Sequence, residues 1–307
     1  PAARRTGMAV CRAAGRRGVF LRPLGDVIVL MPPLIVSESE LDLLLATTGE
    51  AIAEVLGDRD ANDANDANDA RRPGRHDRPA GKLVIACGTD TGVGKTWLAC
   101  HIVRALVASG SRVAAIKPVE SGVGDGAPSS EEDGVLLARA SGQTSPTCAL
   151  DRLPQPLAPP LAAERAGRKL EPDRWRAVID AALRSNDVVV VEGAGGLLSP
   201  LCWDTDLLDL ITGHPAQAVL VAGNRLGALH QVRAALSVLR SAGISRIAVV
   251  LDAPVIGDEA TADNAAVLAH LEPALRIEVI SRDPEPSELR RTVGRLAEFL
   301  CGDGGRT

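Results

Sequence analysis

From Lys82 onward, short runs of β-branched and aliphatic residues alternate with longer stretches in which apolar residues recur every three or four positions. Short continuous apolar runs are typical of buried parallel strands, and the longer period is that of an amphipathic helix. The short runs predict strands at 82–87, 112–116, 187–191, 218–222, 246–251 and 276–280. The longer stretches predict helices at 95–109, 131–141, 172–185, 205–212, 227–242, 262–271 and 285–300.

This alternation predicts an α/β fold with a mainly parallel sheet and helices on both of its faces. Ligands of such sheets bind at the carboxyl ends of the strands. The residues that directly follow each strand are therefore the first candidates for chemistry.

The residues before Lys82 have a different pattern. Val27–Leu30 reads as a strand, and an amphipathic helix follows from Leu41, with Ser37 and Glu40 at capping-box spacing. Residues 60–70 repeat Asp, Ala and Asn, so 58–80 is predicted to be a disordered linker. We therefore expect a strand–helix appendage at 1–57, the linker at 58–80 and the main domain at 81–307.

Composition excludes several classes of protein. The apolar fraction is 46%, yet aromatics make up 2% and Tyr is absent, so the core must be aliphatic. A net charge of −5 gives no reason to expect nucleic acid, and the sequence has no uncharged apolar run of membrane-spanning length. The six Cys are scattered and form no C-x-x-C pair. We therefore expect reduced thiols and a cytoplasmic protein.

The stretch "VIACGTDTGVGKTWLACHIVRAL" joins the first main strand to a helix through a glycine-rich turn. Such a turn presents backbone N–H groups and a helix N-terminus to phosphates, with Lys95 adding charge and Thr96 reaching Mg²⁺. The first glycine, Gly88, stands one residue earlier than the G-x-x-x-x-G-K-[ST] spacing requires. We therefore expect a P-loop NTPase-like fold with one extra loop residue, the alternative being an ordinary strand-to-helix turn.

Charged residues follow two other strands. Lys117 begins "KPVESG" after strand 112–116, and Glu192 begins "EGAGG" after four valines. Glu192 cannot face the core unpaired, so we expect it beside Thr96 as an anchor for Mg²⁺. Lys117 could also be a solvated residue, and Asp133 could simply meet a helix dipole. These residues predict ATP·Mg²⁺ chemistry but leave the phosphoryl acceptor open, and a synthetase and an ATPase switch both fit.

The segments "GTDTGVGKT", "KPVESG" and "VEGAGGLLSP", in this order, resemble the dethiobiotin synthetase family over about 82–282. The resemblance implies a ligase of biotin biosynthesis. Its substrates would be 7,8-diaminononanoate, CO₂ and ATP. A carbamate would form, ATP would convert it to a carbamic–phosphoric anhydride, and the second amine would close the ureido ring.

The same resemblance implies roles for single residues. Lys95 and Lys117 would be catalytic. ATP would be bound by Gly92, Val93, Gly94, Lys95, Thr96, Trp97, Asp133, Glu192, Gly193, Ala194, Gly195 and Asp252. The other substrates would contact Thr91, Ser121, Gly227, Ala228 and Leu229. Mg²⁺ would lie on Thr96, Asp133 and Glu192. Since the family takes the substrate-carboxylate site from the neighbouring subunit, the resemblance also implies a homodimer.

Three positions depart from the family pattern. His230-Gln231 stand where Asn-His is usual, so a side-chain contact to the substrate carboxylate is in doubt. Leu251-Asp252 replaces Asn-Asp beside adenine, and Ile280-Ser281-Arg282 replaces a proline loop. The sequence therefore leaves the strictness of ATP over other nucleotides open.

Residues 1–57 resemble the C-terminal end of diaminopelargonate aminotransferase, in which the Arg at position 22 grips a substrate carboxylate. We expect a remnant or truncated fusion partner, loosely attached or disordered and linked to an aminotransferase. Two other functions compete for the main domain. A partitioning-type nucleotide-switch ATPase usually has a second Lys early in the loop, where this chain has Thr89-Asp90-Thr91. A cobyrinate-type amidotransferase synthetase needs a glutaminase domain, for which the residues after 282 leave no room.

Overall fold

The computed structural model describes residues 6–19, 22–24, 27–29, 42–55, 81–253 and 259–302. The chain divides into two compact units, Pro1–Pro79 and Ala80–Thr307. The predicted linker at 58–80 lies outside the described residues. No helix of the described ranges is both long and apolar enough to span a bilayer.

Two helices and a pair of strands are described in the smaller unit. Helix α1 spans Thr6–Gly15, strands β1 and β2 span Arg22–Leu24 and Val27–Val29, and helix α2 spans 42–55. The strands pair antiparallel, and ion pairs join Arg16 and Arg17, which follow α1, to Glu54 of α2. Val10, Ala13, Ala14 and Ala51 form a small apolar cluster. The sequence pattern indicated β2 and α2 but missed α1 and β1, and the expectation that 1–57 is loosely attached or disordered stays a prediction.

The larger unit is built on a six-stranded sheet. Its strands are β3 (Lys82–Gly88), β4 (Val113–Ile116), β7 (Val188–Glu192), β8 (Ala216–Gly223), β9 (Ile247–Ala253) and β10 (Arg276–Ser281). The order is β10-β9-β8-β3-β7-β4, and every neighbouring pair is parallel. The strand that leads into the phosphate loop therefore lies in the middle of the sheet, beside the strand that ends in Glu192.

Eight helices of this unit are described. They are α3 (Lys95–Ala108), α4 (Asp133–Ser141), α5 (Pro159–Arg165), α6 (Pro172–Ser185), α7 (Leu207–Leu210), α8 (Ala228–Ser241), α9 (Glu259–Leu271) and α10 (Pro286–Cys301). Alternate residues of β3 enter two apolar clusters. Leu83 and Ile85 pack with residues of α6 and α8, whereas Val84 packs with residues of α3 and α10. Helices thus cover both faces, and the predicted P-loop-like α/β fold is confirmed.

The structure has elements that the sequence pattern did not predict, and some predicted elements have different bounds. Strands β5 (Val119–Ser121) and β6 (Asp151–Leu153) pair in a separate parallel sheet, and both are too short and too polar for the periodicity to show. Helix α7 is shorter than predicted because Asp206 forms a capping box with Asp209 and sets its start. Helix α9 begins at Glu259, three residues before its predicted start.

Candidate active site

The phosphate loop joins β3 to α3. Gly92 and Gly94 have φ angles of 72° and 88°, in the left-handed region that favours glycine. Gly88 is required for a different reason. A Cβ at position 88 would lie 2.9 Å from Lys95 Cδ and 3.0 Å from Val93 Cγ2. The early glycine therefore lets the longer loop fold back against the end of its own strand.

Lys95 begins α3 and is 7% exposed. Its Nζ donates to the backbone oxygen of Asp90 at 2.7 Å. No carboxylate among the described residues lies within ion-pair distance of this ammonium, and burial followed by the nearby Lys117 charge lowers the pKa of Lys95. The loop thus holds a desolvated cation that carries no anionic partner within the described ranges.

Lys117 follows β4 and is 4% exposed. Its Nζ donates to Glu192 Oε1 at 2.6 Å, to Asp133 Oδ2 at 2.8 Å and to the Gly193 carbonyl at 3.2 Å. Burial alone would lower the pKa of Lys117, but the charges of Glu192 and Asp133 outweigh it and raise that pKa. The alternative of a solvated Lys117 is wrong.

Glu192 ends β7 and is fully buried. Its Oε1 also accepts from Thr96 Oγ1 at 2.7 Å, whereas its Oε2 is buried and has no hydrogen-bond partner among the described residues. Burial raises the pKa of Glu192. Burial would raise the pKa of Asp133 as well, but Lys117 holds that pKa below its usual value. This network therefore has one acceptor oxygen that no donor among the described residues satisfies.

The donor set fits a hard cation. A hydroxyl, a partly exposed carboxylate and a carboxylate with a free oxygen are oxygen ligands of the kind that Mg²⁺ takes. No cluster of three or more His, Cys, Asp or Glu occurs in the described part of the chain. The protein therefore offers too few ligands to surround Mg²⁺ alone, which is usual at sites where the phosphates of the substrate complete its coordination.

Lys95, Thr96, Lys117 and Asp133 line a cavity of about 840 Å³, whereas Glu192 lies behind them and is not part of its lining. Its polar wall includes Thr91, Lys95, Lys117 and Asp133, and Ser121 Oγ in this wall is buried without a hydrogen-bond partner among the described residues. The lining also has an apolar part, which consists of Val119, Pro156, Leu157, Ala158 and Pro159. The cavity thus combines two cationic side chains with hydrocarbon surface.

The glycine-rich loop after Glu192 borders both the phosphate loop and the cavity. The amide of Gly193 donates to the Ala86 carbonyl at 3.1 Å, and that of Leu197 to the Gly88 carbonyl at 2.8 Å. Gly195 has a φ of 68°, and a Cβ there would lie 2.5 Å from Ser199 Oγ. Ala194 and Gly195 line the cavity.

The remaining predicted site residues divide between this cavity and other places. Gly92, Gly94 and Trp97 line the cavity, whereas Gly227, Ala228 and Leu229 lie at the start of α8, outside its lining. His230 and Gln231 line a second cavity of about 540 Å³ together with Leu198. Asp252 lies next to Gly94 and forms an ion pair with Arg282 at 3.2 Å.

Sequence reasoning missed residues that hold this site in place. Glu120 binds the first amides of α4, and Arg152 binds Glu132 together with the carbonyls of Gly124 and Gly126. Periodicity gives no signal for either, because each partner lies at least 13 residues away. The sequence offers one signal for Glu120, which is a charged residue between Val119 and Ser121 in the segment that follows a predicted strand.

Residues 82–290 match a family described as an AAA domain. The chain is 39% identical over 171 residues to the ATP-dependent dethiobiotin synthetase BioD of Phenylobacterium zucineum, which covers 53% of this chain and 73% of that protein. It is 34% identical over 212 residues to the protein of the same name from Anaeromyxobacter dehalogenans, which covers 68% of this chain and 94% of that protein. The cell division ATPase MinD of Pyrococcus furiosus is 19% identical, with a TM-score of 0.43, and covers 72% of this chain and 98% of that one.

Proposed function

The chain belongs to the AAA-domain family and to the dethiobiotin synthetases, and we propose that it closes the ureido ring of dethiobiotin from 7,8-diaminononanoate, CO₂ and ATP. The observation that carries this function is that Lys95 and Lys117, from two different strand ends, line one cavity. An ATP-driven reaction on a carbamate brings two anions together. Two desolvated ammonium groups are suited to neutralise them.

The reaction has three steps. One amine of the diamine attacks CO₂, forms a C–N bond and loses a proton, which gives a carbamate. A carbamate oxygen attacks the γ-phosphorus of ATP and ADP leaves. The second amine then attacks the carbamoyl carbon and loses a proton, and phosphate leaves with the oxygen that joined carbon to phosphorus.

Each group of residues has a part in this scheme. The amides of the phosphate loop and Lys95 bind the triphosphate, and Lys117 stabilises the carbamate and the charge that moves during phosphoryl transfer. The buried hydroxyl of Ser121 is suited to donate to the carbamate or to accept from an amine. The apolar wall at 156–159 suits the methylene chain of the diamine.

Thr96, Asp133 and Glu192 would hold Mg²⁺, for which the partnerless Glu192 Oε2 leaves an oxygen ligand. The metal would supply neutralising charge at the phosphates. The ammonium of Lys117 pairs with both of these carboxylates, those of Asp133 and Glu192. Binding of Mg²⁺·ATP would therefore release Lys117 toward the carbamate.

We also propose three properties of the whole chain. The protein is a homodimer that completes the substrate-carboxylate site near Gly227–Leu229, and it acts in the cytoplasm. Residues 1–57 are the remnant of an aminotransferase C-terminus joined to a synthetase domain at 81–307. Such a partner would make the diamine that this domain consumes.

The test is a discontinuous assay with mass detection of dethiobiotin. Product should form only when diamine, bicarbonate and ATP are all present, with one ADP released per product. Lys95→Ala should lower kcat/KM by roughly 100-fold or more, in the range seen when one charge-stabilising donor is removed. The matched control is Lys169→Ala, an exposed lysine away from the cavity. ATP hydrolysis without product, unaffected by the diamine, would contradict the proposal and favour a nucleotide switch.

A further inference from the structure

Helix α4, which carries Asp133 into the site, begins without a cap from its own flanking residue. Its N-cap residue is Glu132, whose side chain makes no capping hydrogen bond to the helix. The carboxylate of Glu132 binds Arg152 instead, through two bonds of 2.7 Å. The first amides of a helix have no partners within the helix, so these need another acceptor.

Glu120 on β5 supplies that acceptor from elsewhere in the chain. Its Oε1 accepts from the Asp133 amide at 2.7 Å and its Oε2 accepts from the Gly134 amide at 3.0 Å. Glu120 is 8% exposed. A carboxylate that accepts from backbone amides at a helix N-terminus forms charge-assisted hydrogen bonds, and the helix dipole strengthens them.

Glu120 lies close in sequence to Lys117 and binds the backbone of Asp133, so it is linked to both partners of the Lys117–Asp133 ion pair. Glu120 follows Lys117 by three residues and lies on a strand that pairs with β6. On the other side, Gly134 packs against backbone, because a Cβ there would lie 2.1 Å from the Ala149 amide nitrogen. The first turn of α4 is thus held between Glu120 and residues 148–149, which leaves Asp133 little freedom to move.

We propose that Glu120 is a positioning residue that fixes Asp133 for binding of the Mg²⁺–nucleotide complex, an inference that rests on the proposed function. Glu120 lines the cavity, yet both of its oxygens are engaged by α4. It acts through Asp133. Glutamine has the same shape but only one acceptor oxygen, so its NH₂ group would face an amide N–H.

The experiment measures the dissociation constant of ADP by calorimetry in saturating Mg²⁺ and again in EDTA. The ratio of the two constants reports how much Mg²⁺ strengthens nucleotide binding, independently of turnover. In Glu120→Gln this ratio should fall roughly tenfold to a hundredfold, the range for losing hydrogen bonds to a charged group. ADP affinity in EDTA should stay near that of the wild type, because the phosphate loop is unchanged.

Glu131→Gln is the matched control, since it removes the same charge from an exposed position two residues before Asp133. An unchanged ratio in Glu120→Gln, or an equal fall in Glu131→Gln, would overturn the role of Glu120. A wild-type protein whose ADP affinity does not respond to Mg²⁺ would instead contradict the metal site of the proposed function. If Glu120→Gln does not fold, Glu120→Ala serves the same comparison, because it removes both acceptors without placing an NH₂ group against an amide N–H.

Discussion

Lys117 is the cation on which the buried network depends, and replacing it with methionine tests that dependence. Lys117→Met keeps most of the side-chain length and removes the charge. Glu192, which is fully buried, then loses its hydrogen bond of 2.6 Å to the ammonium, and Asp133 loses one of 2.8 Å. Thr96 remains as the donor to Glu192. The variant leaves a buried carboxylate without a cation.

The expected loss of stability is large. Breaking a buried ion pair by removing one partner costs about 3–5 kcal/mol, because the remaining charge stays desolvated. For a domain of this size each kcal/mol changes Tm by roughly 2–4 °C, which gives a decrease of about 6–20 °C at neutral pH.

The decrease should become smaller in acid. Burial raises the pKa of Glu192 in the folded protein, and loss of Lys117 raises it further. A carboxyl group with a raised folded-state pKa stabilises the fold below its unfolded pKa, and this stabilisation is lost as pH rises through the folded value. Asp133 has a lowered pKa in the wild type, so its favourable contribution is lost as pH falls. The Glu192 effect brings the two proteins closer together as pH falls from neutral, whereas the Asp133 effect adds to it only below the ordinary Asp pKa of about 4.

The assay is thermal unfolding at pH 5 and pH 8, followed by circular dichroism. Lys169→Met is the control, because its side chain is 87% exposed and should change Tm little at either pH. A Lys117→Met variant that unfolds like this control at both values would refute the account of the network.

Two further predictions concern the N-terminal residues 1–80 and the choice of nucleotide. Deleting residues 1–80 should leave kcat and KM within about twofold of the full chain, because every residue of the described cavity lies at 91–200. A large loss of activity would show that the smaller unit takes part in the reaction. CTP and GTP should support turnover within about tenfold of ATP, because Leu251 offers no hydrogen bond to a base and losing one such bond costs about 1 kcal/mol. Strict dependence on ATP in the same assay would count against this loss of selectivity.

The sequence predicted the parts of the site whose reasons are local. Gly-Lys-Thr after an apolar run indicated the phosphate loop, and an acid after four valines had to emerge at the sheet edge, where Glu192 meets Thr96. Parallel strands then brought Lys117 to the same edge.

The remainder depends on contacts between distant parts of the chain. The bond from Glu120 to α4 needs a three-residue strand that carries no periodic signal. The sequence also could not show that Lys117 forms ion pairs with both Glu192 and Asp133. That arrangement depends on side-chain positions at three separate strand and helix ends.

The central claim is that ATP phosphorylates a carbamate, and the fate of one oxygen atom tests it most directly. A short reaction is started with C¹⁸O₂, the diamine and unlabelled ATP, and the phosphate and dethiobiotin are analysed by mass spectrometry. The account predicts one ¹⁸O atom in each phosphate and one in each ureido carbonyl, corrected for exchange of the remaining CO₂ with water. Phosphate that contains no ¹⁸O, formed alongside labelled dethiobiotin, would contradict it.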